Sequence, residues 1–512
     1  MTNQMLSPRQ IEFRRNARPN LLDHIKYLSA PVGSGKTAAV INDIRDNLDQ
    51  SYIFVSPTIR LAREIKGRLD VALVNHGQGE NVFLIVTEDA NPTSVQRRVI
   101  NRIEAKQPNE HHVLIVTTET FRNILPRVTD NRKAEYNVFL DEGIDPIDQV
   151  KFNTRHQALF LEPITINEDS SFVINTGRRE ILDTVANNPE RLATIEREEL
   201  NIPNFRKLAK LLVSDIYDVY GDVLENSIRA IAFLRPDHFL SFRSVTMIMA
   251  IFEQSLLALF WTEKYGIEFR PYETAHDLFD THHAKGPRMR IHHLLHPGDN
   301  ASRLNLERHF RTGERDTTAE NGERVIDRIA QIVEDNFGDL PYCWATNTYF
   351  TNNGNVLSGN RMPVRCAGLD SFRRMDVVAS LASMNPEPWV KNMITDRVEI
   401  TDRNLYELWK LSFTYQTIGR CSIRDRTSER WVDVIVLSRD CAERIHQLFP
   451  GSEIVGQLGD LPHFGAMQQR RGPAREPTPY TRADNSAWHR YRQGNPNTGL
   501  TKQEWYETIR TS

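Results

Sequence analysis

Apolar runs of three to five residues recur along the first part of the chain, each closed by a polar turn. Ile25 to Leu28, Tyr52 to Val55, Val82 to Val86, Val113 to Val116 and Val138 to Leu140 read as strands. Between them, Leu61 to Leu69 and Val95 to Ile103 carry apolar residues at helical spacing. Strand alternating with helix predicts a parallel α/β sheet. From about Phe172 to Leu240 the strand-like runs thin out. Ile195 to Leu200, Leu208 to Leu212, Ile216 to Tyr220 and Ile228 to Leu234 then show helical spacing, which predicts a helical insertion. Further on, Pro341 to Phe350 reads as a strand ending in Ala345-Thr346-Asn347.

The tail from about Gln468 has a different texture. Arg470, Arg471, Arg475, Arg482, Arg490 and Arg492 are interleaved with Tyr480, Trp488 and Tyr491, and Pro473, Pro477 and Pro479 keep its first part extended. Thr501 and Glu504 form a capping-box pattern before Trp505 and Ile509, which predicts a last helix. Basic residues alternating with aromatics suit phosphate pairing and base stacking, so Arg490 and Arg492 are candidate nucleic-acid contacts. The competing reading is a linker whose aromatics dock on the body of the protein or on a partner.

Composition narrows the class. With 512 residues, 39% hydrophobic and 26% charged, the chain has room for two or three ordinary cores. A formal net charge of −3 means that any nucleic-acid surface is a local basic stripe. The four cysteines, Cys343, Cys366, Cys421 and Cys441, show no paired short spacing, which argues against a zinc module or a disulfide framework. No apolar signal core opens the sequence, and the longest apolar stretch, Val245 to Trp261, is broken by Glu253 and Gln254. A reducing, cytoplasmic setting is expected, without a membrane. His276, His282, His283, His292, His293 and His296 crowd together, with His292 and His296 four apart. Lacking a nearby cysteine or a zinc-protease signature, they read as surface and loop histidines.

Two motifs carry chemistry. Ala30-Pro31-Val32-Gly33-Ser34-Gly35-Lys36-Thr37 follows a strand and opens a helix, as a phosphate-binding loop must. Gly33, Ser34 and Gly35 supply a tight turn with inward N–H groups, Lys36 reaches the β- and γ-phosphates, and Thr37 can ligate Mg²⁺. The strict pattern begins with glycine, and here that position is Ala30. About a hundred residues on, Val138-Phe139-Leu140 ends in Asp141-Glu142, placing two carboxylates at the rim of a parallel sheet. Asp141 is the expected Mg²⁺ ligand and Glu142 the group that polarises the attacking water. The runs between these motifs end in hydroxyls, Ser56-Pro57-Thr58, Thr87 and Thr117-Thr118. Thr58 and Thr117 can hold a sugar-phosphate backbone, or simply cap the helices that follow.

The loop beginning Ala-Pro resembles the helicase form of the motif, and Gln416-Thr417-Ile418-Gly419-Arg420-Cys421-Ser422-Ile423-Arg424 resembles the sixth motif of superfamily 2 helicases. That resemblance implies a second domain whose Arg420 and Arg424 point at the γ-phosphate, with Gln416 contacting the nucleotide or relaying its state. Many family members have two residues between the arginines, and Cys421, Ser422 and Ile423 make three, so either arginine can be the finger. Thr246 to Phe252 resembles the third motif, with Ala250 its best match, and Gly368-Leu369-Asp370-Ser371 resembles the fifth, making Gly368 and Ser371 candidate nucleic-acid contacts. Iron–sulfur helicases have cysteines between the first two nucleotide motifs, and this chain has none there. In motif layout the chain is most similar to phage- or plasmid-encoded DEAD/DEAH-like helicases.

The resemblance implies an α/β protein of two RecA-like P-loop NTPase domains with parallel sheets, a helical insertion and a short basic C-terminal extension. The expected division is a first ATP-binding domain over 1–171, the insertion over 172–240, a return to the first domain over 241–284, the second domain over 285–455 and the extension over 456–512. The implied activity is ATP- and Mg²⁺-dependent movement on DNA or RNA, plausibly in phage or plasmid replication. A protein partner would use the insertion or the tail. A nucleotide-dependent switch in a defence or packaging complex is the rival reading, since the fold alone does not prove strand separation.

Overall fold

The apolar runs of the N-terminal part lie side by side in the computed structural model. It describes residues 21–74, 81–85, 94–153, 161–175, 177–188, 203–224, 227–278, 287–299, 301–309, 324–347, 350, 357–364, 371–425, 427–461, 463, 464, 488, 491 and 502–505. Strands β1 (His24–Ser29), β2 (Ser51–Ser56), β3 (Val82–Leu84), β4 (Val113–Thr117) and β5 (Tyr136–Asp141) share one sheet with β11 (Ser244–Met249) and β12 (Glu268–Pro271). Its order is β12-β1-β11-β5-β2-β4-β3, and every pair is parallel. Side-chain alternation sends Ile53 and Val55 into one apolar cluster and Tyr52 and Phe54 into another, one on each face. The crossovers run through α1 (Lys36–Asp46), α2 (Ile59–Val74), α3 (Val95–Glu104) and α4 (Thr118–Ile124).

Between β5 and β11, neighbours in that sheet, the chain leaves to build a separate unit. Strands β6 (Ile147–Asn153), β9 (Tyr217–Leu224) and β10 (Ser227–Leu234) form an antiparallel sheet ordered β6-β10-β9, beside a small hairpin of β7 (Ile164–Ile166) and β8 (Phe172–Ile174). Helices α5 (Arg179–Asn187) and α6 (Pro203–Val213) contribute Leu182, Phe205 and Leu208 to its core. Helical spacing therefore reads Leu208 to Leu212 correctly, while Ile216 to Tyr220 and Ile228 to Leu234 are corrected to strand. The insertion is mixed α and β, not helical. The reason is that β10 is an interior strand, covered on both faces, so its apolar run has no period of two to betray it. Ile195 to Leu200 lies outside the described residues.

The second parallel sheet gathers β13 (Met289–His293), β14 (Tyr342–Ala345), β15 (Asn360–Arg361), β16 (Val377–Ser380), β17 (Val432–Val436) and β18 (Glu453–Gln457) in the order β15-β14-β16-β17-β13-β18. Helix α7 (Leu256–Tyr265) closes the first domain, and α8 (Val325–Phe337), α10 (Asp402–Ile418) and α11 (Arg439–Leu448) cover the second sheet. The α/β class with two parallel sheets is as expected. Helix α9 (Pro388–Thr395) departs from its surroundings: Trp389, Val390, Met393 and Ile394 are buried in the apolar cluster of the first domain, with Val398 and Leu405. Polar contacts join the insertion to the same segment, Lys151 Nζ to Glu387 Oε2 at 3.0 Å and Arg397 Nη2 donating to the Asp169 carbonyl at 3.1 Å.

In the tail, Trp488 and Trp505 are buried and their rings meet with Tyr491 at centroid separations of 5.6–6.1 Å. Trp488 is thus packed rather than presented for base stacking, while Arg490 and Arg492 lie outside the described residues. The histidines find ordinary partners: His276 Nε2 is 2.9 Å from Asp46 Oδ2, His292 Nε2 is 2.9 Å from Asp433 Oδ1, and His296 Nε2 is 2.6 Å from the Leu461 carbonyl. His282 and His283 are outside the described residues. Among those described, no group of three or more His, Cys, Asp or Glu side chains could hold a metal ion, and no helix is long and apolar enough to cross a membrane.

Candidate nucleotide site

β1 ends at Ser29, and the loop that follows turns on Gly33 and Gly35, whose φ values of 80° and 87° lie in the left-handed region that glycine adopts without strain. The Ser34 N–H closes the turn on the Pro31 carbonyl at 3.1 Å, and α1 begins at Lys36. Lys36 Nζ donates to the carbonyls of Ala30 and Pro31 at 2.6 and 2.8 Å, so the ammonium lies over the loop. Burial lowers the Lys36 pKa to about 8. Asp141 and Glu142 pull it back up, and Arg424 and Arg420 push it further down. Ser34 is 1% exposed, and its Oγ has no hydrogen-bond partner among the described residues.

Asp141, 5% exposed at the end of β5, accepts a long hydrogen bond from Thr37 Oγ1 at 3.4 Å. Burial, with the adjacent Glu142 charge, raises its pKa to about 7, against the pull of Lys36 and Thr37. Glu142 has φ 59°, uncommon for a residue with a side chain, and its N–H donates to the Ile248 carbonyl at 2.7 Å. β5 ends at that turn, just where the two carboxylates stand.

The second domain supplies the remaining charges. Arg420 follows α10, is 3% exposed, and reaches Glu142 Oε1 with Nη2 at 3.1 Å. Its Nε is buried without a hydrogen-bond partner among the described residues. Arg424 closes a short 3₁₀ turn, Ser422–Arg424, and is half-buried near enough to depress the Lys36 pKa. Gln416 sits half-buried in the last turn of α10. Lys36, Thr37, Asp141, Glu142, Arg420 and Arg424 are therefore gathered around one loop from three separate stretches of sequence. Two buried orphan polar atoms, Ser34 Oγ and Arg420 Nε, and a cation raised over loop carbonyls make this donor set fit a phosphate chain. Thr37 and Asp141 fit its divalent cation.

The nucleic-acid candidates are placed less directly. Thr58 Oγ1 accepts from the Leu61 N–H at 3.2 Å and Thr117 Oγ1 from the Thr120 N–H at 3.3 Å, so both cap helices. Ser371 is exposed ahead of β16, and Gly368 is outside the described residues. Sequence reading missed three groups. Ser29 Oγ donates to Glu253 Oε2 at 2.6 Å and accepts from the Phe252 N–H at 3.1 Å, strapping the turn after β11 to the base of the loop. Ile251 in that turn has φ 48°, strained for a β-branched residue. Tyr415 OH accepts from the Val32 N–H at 3.3 Å. Ser29 and Tyr415 have partners distant in sequence, so no local signal marks them.

Residues 12–162 match the family model described as DEAD/DEAH box helicase. No curated protein matches the chain. Among solved structures, it is similar to an XPD structure at 10% identity and TM-score 0.45, over 87% of this chain and 98% of that one. A Dbp5 variant from S. cerevisiae bound to RNA and ADP BeF3 matches at 10% identity and TM-score 0.35, over 88% of this chain and 93% of that one. The helicase MrfA bound to DNA and AMPPNP matches at 11% identity and TM-score 0.32, over 88% of this chain and 52% of that one. Similarity this low assigns nothing to the chain by itself.

Proposed function

We propose that this protein is an ATP-driven motor of the superfamily 2 helicase type that moves on DNA or RNA. One observation carries the reading: Arg420, 278 residues beyond Glu142 and just past the helix α10 that packs on the second sheet, is salt-bridged to that carboxylate. A P-loop kinase or a small GTPase gives no reason for such a contact. A residue that joins two domains at the water-activating position makes hydrolysis depend on how the domains sit together. MgATP would supply the transferable phosphoryl group and the divalent charge. Gly33, Ser34, Gly35 and Lys36 would hold the phosphates, and Thr37 and Asp141 the Mg²⁺. Glu142 would orient water, Arg420 and Arg424 would offset developing negative charge, and Gln416 would carry the state of the site into α10. Thr58 Oγ1, as an acceptor in its cap, keeps its own hydrogen to donate to a phosphate oxygen. Thr117, Gly368, Ser371, Arg490 and Arg492 complete the proposed nucleic-acid contacts. These are mainly to backbone and so salt-sensitive. A role in phage or plasmid replication is the finer form of the proposal and rests on motif layout alone.

The decisive experiment measures ATP hydrolysis alone and with single- and double-stranded DNA and RNA. Strong stimulation by one of these supports the motor. The burial of Trp488 and Trp505 favours the rival, a nucleotide-dependent switch whose tail or insertion meets a protein. Stimulation only by a protein partner would establish that reading.

A further inference from the structure

Beside the Glu142–Arg420 pair the phosphate loop and the end of α10 meet at a second point. Val32, inside the phosphate loop, is 9% exposed, and its side chain is buried not in its own domain but in the apolar cluster of the second sheet, with Tyr415 and Ile418. The Tyr415 hydroxyl holds its backbone N–H at 3.3 Å. Gly419, between α10 and Arg420, comes so close that a Cβ there would stand 2.9 Å from Val32 Cβ and 3.0 and 3.2 Å from its two methyl groups. The backbone at Gly419, φ −64° and ψ 2°, is open to any residue. Glycine is required there by the approach of Val32, not by the turn.

We infer that Val32 and Gly419 form a steric stop that sets how far Arg420 enters the nucleotide site, making Val32 a positioning residue of the loop. The inference rests on the reading of this site as a hydrolytic one. Ordinary carbon–carbon contact begins near ~3.5 Å, so a methyl group at 419 must push the two elements apart by about 0.6 Å. Arg420 is the next residue, and its 3.1 Å contact with Glu142 has little slack. Misplacement by ~1 Å at a reacting centre costs on the order of 100-fold in rate.

The test is a double-mutant cycle in the full chain. Gly419→Ala should lower kcat by roughly 30- to 100-fold and leave the KM for ATP within about threefold, because the phosphate ligands of the loop are untouched. Val32→Gly removes the three atoms nearest the new methyl group, so adding it to Gly419→Ala should return kcat to the level of Val32→Gly alone. Wild-type kcat in Gly419→Ala would overturn the inference, as would a double variant whose loss is the product of the two single losses. Thermal melting of the same four proteins reads the contact without any turnover. Non-additive melting shifts support it, and additive ones overturn it. A wild-type protein that hydrolyses no ATP would defeat the functional reading while leaving the melting cycle to decide the contact. Should Gly419→Ala fail to fold, the double variant must fold, and its failure would also overturn the stop.

Discussion

Arg420→Ala is the substitution on which the two-domain site turns. Arg420 is nearly inaccessible, and its one protein partner in the site is the Glu142 carboxylate at 3.1 Å, itself about a quarter exposed. Truncation therefore removes a desolvated cation from the position where negative charge develops. An arginine that completes a phosphoryl-transfer site contributes about 10³–10⁵ in kcat, equal to ~4–7 kcal/mol at 1.36 kcal/mol per decade. The effect on folding should be much smaller, about 1–3 kcal/mol, because Glu142 can take water in place of the guanidinium. ATP affinity should change by less than about tenfold, since Lys36 and the loop N–H groups remain. The assay is steady-state phosphate release at saturating MgATP and nucleic acid, with binding of a fluorescent nucleotide followed separately. Arg420→Lys should recover little, because an ammonium lacks the guanidinium fork. Arg424→Ala should fall by a smaller factor, as Arg420 is the arginine seen on Glu142. An Arg420→Ala protein that keeps more than a tenth of the wild-type kcat would refute the assignment, as would one whose loss appears wholly in nucleotide binding.

Glu142→Gln should bind MgATP normally and turn it over at least a hundredfold more slowly, since the amide keeps the shape but accepts no proton; undiminished turnover would remove Glu142 from the water-activating role. His112, buried beneath β4, offers a pH prediction. Burial lowers its pKa to about 4 from 6.5, aided by Arg102 and Lys106 and opposed by Glu110. The unfolded chain then binds the proton first on acidification, so stability is lost as pH falls from 6.5 to 4, by about 3 kcal/mol in all. Thermal melts across that window should show a shallower slope for His112→Gln than for wild type, and equal slopes would rule out His112 as the titrating group.

What the sequence made legible was the part whose chemistry dictates residue types. A phosphate loop needs glycines at Gly33 and Gly35 and a lysine at the helix start, and a parallel strand ending in paired carboxylates reads as such without any partner. The first-domain strands were readable because each is bracketed by a polar turn and a periodic helix. The insertion was not. Ile228 to Leu234 is a strand held on one side by Ile147–Asn153, some eighty residues earlier, and on the other by Tyr217–Leu224 just before it. Pairing at that range is decided by tertiary structure, not by local pattern. Arg420 was visible only as one of two arginines in a family motif. That Arg420 makes the Glu142 contact depends on how the second domain packs on the phosphate loop, which no local pattern encodes. Thr58 shows the opposite case: both readings of a hydroxyl at a strand end, cap and phosphate donor, use the same geometry, whereas Thr117 gives its hydrogen to Thr120 Oγ1 at 3.0 Å.

The placement of α9 bears on how such a site can open. This helix belongs by sequence to the second domain, yet Trp389, Val390, Met393 and Ile394 are held in the core of the first. Seven residues after it ends, α10 begins, and its far end delivers Tyr415, Gly419 and Arg420 to the phosphate loop. With 17 residues, α10 is ~25 Å long at 1.5 Å per residue. A tilt of about 5° about its anchored end therefore carries the other end by ~2 Å. That is enough to lengthen the 3.1 Å Arg420–Glu142 contact beyond hydrogen-bonding range and to release Val32 from Gly419. The apolar anchor is much harder to break than these two contacts, because it buries a tryptophan and three aliphatic side chains, each contributing about 1.5–3 kcal/mol. Rotation about α9 would therefore break the Arg420–Glu142 contact while the α9 anchor stays in the first core.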